Sequence, residues 1–475
     1  MKFFLAILLL FSLLGGHADN EPPSETLTLT NVNVVDTRHG EIHRNVTVVI
    51  RHGRIEGIAK VGLIGQTHHI QVINAAGKYL IPGLWDMHVH SAGGPAKPWD
   101  DKVIFPLYIA NGVTGIRDMG GDIKLVAQRR ENIQKGELLG PHIFYAGPFL
   151  DGGKAQDYTV AVNTRAEAEH VVDILKRQGV DFIKVLSNLP RDAYFGVAEE
   201  SKKQKLPFVG HVPESVGARD ASSAGQKSIE HLSDILISCS LRETELRAQR
   251  VQAAQKGDNK AYHSAGMQAL GSYDSAKAVR LFAQFAEKAT WQVPTLIWWR
   301  TVSEMDDPNL AKDDRIRFVP AWTRKDWDPA KLRQQESPEE VADLKTIFHR
   351  YLEITRAMHR TDVPILAGTD SPDPYVFPGF ALHDELELLV KAGLTPLQAL
   401  QAATTGPALF FGDIGEYGVV EKGRVADLVV LDENPLEDIA NTRKIDAVIV
   451  GGKYYPRKEL DAMLERAAEI AAKDQ

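Results

Sequence analysis

The stretch GLWDMHVHSAGG, Gly83 to Gly94, ends an apolar run with two histidines one residue apart, and Asp86 stands just before them. What this means depends on the backbone that carries it. In a strand, side chains at i and i+2 share a face, so His88 and His90 would present two imidazoles side by side. On a helix the same spacing splays them about 200° apart. The preceding KYLIPGLW is apolar and broken by Pro82 and Gly83, which predicts the end of a buried strand. A lone H-x-H is a weak signal, because two ordinary histidines near a strand end look the same.

Residues 82–411 around this stretch alternate short apolar runs with helical segments, the pattern of βα units on a parallel sheet. Eight candidate strands stand out: GLWDMHVH, GVTGIRDMG, HIFYAGPFL, DFIKVL, PFVGHV, KSIEHL, QVPTLIW and PILAGTD. The pattern predicts an α/β fold, a (β/α)8 TIM barrel; an open doubly wound sheet is the alternative. Reactive groups in such barrels sit at the C-terminal ends of the strands. There the sequence offers His88 and His90, Lys184, His211, His231 and Asp370. Imidazoles and a carboxylate without thiolates suit zinc or a similar ion. Five such ligands exceed the three that a single catalytic zinc takes, so two divalent ions are expected.

Lys184 is the odd member. At 4 Å an ammonium and a unit positive charge repel by about 4 kcal/mol, even at an effective dielectric of 20. Either Lys184 points away to solvent, or it is not an ammonium. A lysine that captures CO2 becomes a carbamate, an anion whose two oxygens can bridge two ions.

Residues 25–81 and 412–456 read differently, as short strands with two-residue alternation and Gly or Asn turns. They predict a small β-sandwich assembled from both chain ends, followed by an exposed amphipathic helix over 457–475. Lys2, the apolar run Phe3–Leu14 and GGHA predict a signal peptide over 1–18, cleaved after Ala18. The protein is then expected to be exported, periplasmic or secreted, with no stable membrane anchor after cleavage. Cys239 is the only cysteine, so no internal disulfide is possible. The chain of 475 residues carries a net charge of -8 without a basic block, which argues against nucleic acid as a partner. A homo-oligomer is left open. The polar segments 240–288 and 300–345 are expected to frame the barrel rim.

H-x-H on the first strand, Lys on the fourth, His on the fifth and sixth, and Asp on the eighth together resemble the amidohydrolase superfamily, in its binuclear, carboxylated-lysine subtype. GVTGIRDMGG, VPTL, GTDS, ELELLVKAGLTPLQALQAAT and GRVADLVVLDENPLEDI resemble its imidazolonepropionase-like and Xaa-Pro dipeptidase-like branch. The resemblance implies that His88, His90 and Asp370 bind one zinc ion and His211 and His231 a second. It implies that carboxylated Lys184 and a hydroxide bridge the two, with Asp370 as proton shuttle. The expected activity is hydrolysis of an amide bond in a dipeptide or N-acyl amino acid, a small-molecule substrate; cyclic amides or lactones are the runner-up. A barrel that binds metal without catalysis is the rival class, but all six positions are filled. Peptidases of this branch often carry a Gly/His-rich stretch after the third strand, and GPFLDGGKAQDYT holds no His.

Other residues are candidates for substrate contact or for orienting a ligand from behind. Asp86 could hold an imidazole or only cap its strand. Asp118 ends the second strand. His383 follows Asp370 closely. Arg300, Lys154 and Tyr158 could hold a substrate carboxylate.

Overall fold

Strands β1 (Thr26–Val35), β2 (Ile42–Arg51), β3 (Arg54–Lys60), β4 (Ile70–Asn74) and β5 (Tyr79–Pro82) come first in the computed structural model. It describes residues 26–60, 70–94, 97–333, 337–413 and 415–473, so the expected signal peptide lies outside the described residues. β2 and β3 turn through His52 and Gly53, both at positive φ (50° and 70°), the two-residue hairpin geometry that matches strand twist.

Nine strands follow: β6 (Leu84–Val89), β7 (Val113–Asp118), β8 (His142–Tyr145), β9 (Phe149–Asp151), β10 (Thr159–Ala161), β11 (Ile183–Val185), β12 (Phe208–Gly210), β13 (Ser228–Glu230) and β14 (Trp291–Val293). The last three are β15 (Leu428–Leu431), β16 (Ile445–Val450) and β17 (Lys453–Pro456), before a closing helix Arg457–Lys473.

The two chain ends meet in one sheet, ordered β17-β16-β15-β5-β1-β2-β3, with β4 also on β1. β5 makes the join, parallel to β1 and antiparallel to β15. The expected sandwich is thus a single hydrogen-bonded sheet of eight strands. Bulges in β1 between Leu29 and Val34 break its ladder with β2. Leu428 and Val430 enter a small core of this sheet's own, while Val429 and Leu431 enter the large core of the central region. That two-sided burial explains the unbroken apolar run in DLVVL. The closing helix buries Leu460, Ala467 and Ala471, so one face is packed and the other exposed.

The central region is mixed α/β. β6, β7 and β8 form a parallel three-stranded sheet; β10, β9, β11, β12, β13 and β14 form a second parallel sheet. Three of the eight expected strands differ. HIFYAGPFL breaks at Gly147, whose φ is +78°, into β8 and β9. QVPTLIW ends as a strand at Val293, because Thr295 turns left-handed (φ 47°) and starts the helix Leu296–Ser303. PILAGTD forms no regular strand, and regular strands alone do not close a barrel. It makes isolated parallel bridges instead, Ile365 to Gln292 and Ser371 to Val89. Backbone bonds run from Met87 N to Ala367 O (2.9 Å) and from Asp370 N to His88 O (2.7 Å). The last segment therefore touches both β14 and β6. Gly368 permits this closeness, since a Cβ there would lie 2.6 Å from Val293 and 2.9 Å from His88.

Candidate metal centre

The ends of β6, β11, β12 and β13 and the segment 364–371 bring all six candidate ligands together. Asp370 Oδ1 lies 3.2 Å from Nε2 of both His88 and His90. Its Oδ2 is 3.9 Å from His231 Nδ1. Ligand atoms of His88, His90 and Asp370 all fall within 4.8 Å of one another. The His231 ring lies 4.5 Å from that of His88 and 5.1 Å from that of His211. Lys184, buried, lines the same cavity as His90, His211, His231 and Asp370.

Every imidazole is anchored through Nδ1. His88 Nδ1 meets Glu230 Oε2 at 2.9 Å, His90 Nδ1 meets the Gly120 carbonyl at 3.0 Å, His211 Nδ1 meets Ser187 Oγ at 2.8 Å and His231 Nδ1 meets Thr295 Oγ1 at 2.8 Å. A carboxylate and a carbonyl only accept, so His88 and His90 carry their protons on Nδ1. The Thr295 hydroxyl already donates to the Pro294 carbonyl, so it accepts from His231. In His88 and His90, Nε2 is the nitrogen turned toward Asp370. His88 Nε2 is buried and makes no hydrogen bond. Two imidazole nitrogens and an anionic oxygen converge, and this donor set fits a divalent cation.

The supports behind the site are equally specific. Glu230, behind His88, accepts from Arg117 Nη2 at 2.8 Å and from Ser228 Oγ. Arg117 also donates to the Met87 carbonyl at 2.6 Å, and both partners are fully buried. Burial alone would raise the Glu230 carboxyl, but Arg117 and His88 hold it below the usual carboxylate range. Burial likewise works against ionised Asp370, yet His231 and His88 hold it well below its ordinary value. Burial brings the Lys184 amine down to about 8, against the pull of Glu230 and Asp370. His231 (φ 58°), Thr295 (φ 47°) and Asp370 (φ 69°) all sit in left-handed backbone, a strain that surrounding structure must enforce.

The sequence profile of the Amidohydrolase family matches residues 79–454. The chain belongs to this family. Ochratoxinase from Aspergillus niger is 23% identical to this amidohydrolase over 451 residues, spanning 82% of this chain and 76% of its own. The solved structure of bottromycin amidohydrolase superposes with a TM-score of 0.74 at 20% identity, over 95% of this chain and 91% of that one. A Xaa-Pro dipeptidase with bound methionine in its active site gives 0.65 at 20% identity, over 91% of this chain and 100% of that one. These likenesses show a shared fold.

The remaining candidates lie elsewhere in the amidohydrolase. Asp86 holds no imidazole: it accepts from Thr369 N (3.0 Å), Thr369 Oγ1 (2.6 Å) and His88 N (3.2 Å), tying the Asp370 segment to β6. Asp118 accepts from Ser91 N, Ala92 N and Gly120 N, fixing the turn after His90. His383 is not a substrate residue. Its Nε2 meets the Asn111 carbonyl at 3.0 Å and its Nδ1 meets Thr442, and burial brings it down to about 3. Arg300 faces Asp384 and Glu304, outside the cavity lining. Gln156, Asp157 and Thr159 line the cavity where Lys154 and Tyr158 were expected.

The cavity over the site has a volume of about 830 Å³. Sequence reasoning missed its wall. Trp298 and Trp299 come from the helix after β14, and the Trp298 ring lies 6.1 Å from His231. Arg250, Tyr262 and His263 come from helices within 240–288, as the rim expectation required. Of 300–345, Leu344 alone among the described residues lines this cavity; Ile347 and Tyr351 continue its face one and two turns on. Ser337 starts that helix as a capping box with Glu340, and Pro338 stands at its first turn. Glu230 and Arg117 left a signal: charged residues inside apolar strands need a buried partner.

Proposed function

We propose that the protein is an exported, metal-dependent hydrolase of amide bonds, acting on a dipeptide or N-acyl amino acid. We read its central region as a (β/α)8 barrel, carried by the bonds of segment 364–371 to both β14 and β6. The observation that carries the function is the convergence of His88 Nε2 and His90 Nε2 on Asp370 Oδ1, each at 3.2 Å, while Nδ1 of both rings is held by other partners. His88, His90 and Asp370 would hold one ion, expected to be zinc, and His211 and His231 a second. When bound, such ions lower the pKa of a coordinated water and polarise the scissile carbonyl.

The chain's own residues supply the proton traffic. Asp370 is ionised at neutral pH, so it can take a proton from the attacking water and return it to the leaving nitrogen. Glu230, Gly120 and Thr295 fix which nitrogen of His88, His90 and His231 faces the centre. Lys184 reacts as its neutral amine: its nitrogen bonds the carbon of CO2, the proton leaves to solvent, and a carbamate anion remains. Burial, which favours the neutral amine near pH 8, supports this reading. The aromatic wall keeps water from the substrate and offers an apolar surface to its side chain.

The test is a hydrolysis screen of the zinc-loaded mature protein against dipeptides, N-acyl amino acids, hydantoins and lactones. Release of a free amine from the first two classes is expected. Turnover confined to lactones would overturn the amide assignment, and turnover of none would overturn catalysis.

A further inference from the structure

His211 and His231 are each followed three residues later by an acid, Glu214 and Asp234. Each acid takes an arginine from the same face of helix Glu243–Lys256, one turn apart. The two ion pairs are otherwise unlike. Arg247 is fully used: it donates to both oxygens of Asp234 (2.6 and 2.9 Å), to Ser238, to Glu243 and to the Val216 carbonyl. It lies outside the cavity lining and clamps the helix to the loop after β13.

Arg250 lines the cavity, together with Glu214 and Tyr262. Its Nη2 donates to Glu214 Oε1 at 2.9 Å, and Tyr262 Oη donates to the same oxygen at 2.6 Å. Its guanidinium stacks on the Tyr262 ring at 4.0 Å, which fixes the plane of the fork. Its Nε is buried and makes no hydrogen bond. A buried charged donor left unpaired is costly in a finished core, and the residue that carries it lines the substrate cavity. A flat guanidinium with an unused edge matches a carboxylate.

We propose that Arg250, oriented by Glu214 and Tyr262, is the specificity residue that receives a carboxylate on the part of the substrate beyond the scissile amide. The substrate class is then an acyl or aminoacyl derivative of an amino acid with a free carboxylate, its apolar side chain against Trp298, Trp299 and Tyr351. The substrate assignment rests on the amide-hydrolase reading; the carboxylate subsite does not. Glu214 does not forbid a second carboxylate nearby. Burial brings it up to about 7 against the pull of Arg250, so it can take a proton when an anion arrives.

Calorimetric binding to the zinc-loaded protein tests this without turnover, using hydrocinnamate and its neutral counterpart, hydrocinnamyl alcohol. The carboxylate should bind about 10- to 100-fold tighter, the range of a charge-assisted bond. Arg250→Met should erase that preference. Arg250→Lys, which keeps a charge for Glu214 but not the planar fork, should lose most of it. Glu214→Gln should tighten carboxylate binding by removing a competing negative charge. Equal binding of both probes would overturn the proposal, as would a full preference surviving in both Arg250 variants, because the carboxylate would then sit at the metal centre. Weaker carboxylate binding in Glu214→Gln would overturn it too. If the selectivity holds while no amide is hydrolysed, the functional reading fails and the subsite stands.

Discussion

The floor and the wall of the cavity are built in opposite ways. On the floor, His88, His90, His211 and His231 each have Nδ1 bonded to a fixed partner, and His231 and Asp370 are held in strained backbone. On the wall, Trp298, Trp299 and Tyr351 present aromatic rings, and Arg250 keeps an unused donor. The floor is pre-organised, so chemistry there needs no rearrangement. The wall comes from rim helices whose surface groups can change without disturbing the strands. Chemistry and selectivity are thus assigned to separable parts of one cavity, and substitutions should divide along that line.

Asp370→Asn should give the largest effect. Asn keeps the size and a ligand oxygen but cannot accept the proton at neutral pH. The variant should fold, keep most of its metal and lose about 10²–10⁴-fold in kcat. Elemental analysis beside kcat and KM checks this; kcat within a few-fold of wild type would move the proton acceptor elsewhere. His383 could not take over, because both its ring nitrogens are engaged with Asn111 and Thr442.

Glu230→Gln strikes the floor from beneath. It leaves Arg117 buried without its counter-charge and loosens the hold on His88. Metal affinity should fall about 10- to 100-fold. Unfolding free energy should drop by up to about 3–5 kcal/mol, as when one partner of a buried pair is removed. Competition with a chelator and urea denaturation read the two separately.

Trp298→Ala belongs to the wall. Trp298 separates the main cavity from a side chamber of about 190 Å³, and its indole donates to Asp373 at 2.5 Å. Merging the two spaces should shift the ratio of kcat/KM between bulky and small substrates by about 10-fold. Metal content should not change. A change in metal content with an unchanged ratio would break the division between floor and wall. The smallest effect is expected from Arg300→Ala, outside the cavity: kcat/KM within about 2-fold of wild type, as for substitutions away from a site.

The same division governs how much could be read from the sequence. Floor residues stand at strand ends, where the two-residue period of H-x-H and the order of strands fix what converges. That the two chain ends belong together was legible too, because both carry short strands with two-residue alternation; that they form one hydrogen-bonded sheet was not. PILAGTD was read as a strand from its apolar character, but Asp370 turns left-handed and the segment keeps only isolated bridges. The wall was not legible. Arg250, Trp298 and Tyr351 come from three helices far apart in the chain, and no local spacing shows that their faces meet. Arg300 looked equally suitable as an anion contact, yet Asp384 holds it outside.

The central claim is that hydrolysis depends on a cation held by His88, His90 and Asp370. Chelation followed by stepwise return of Zn²⁺ tests it most directly, with bound metal and amide hydrolysis measured at each step. Activity should vanish in the metal-free protein and return in proportion to occupancy, and His88→Ala with His90→Ala should neither bind the metal nor recover. Undiminished hydrolysis by protein shown to be metal-free would contradict the account.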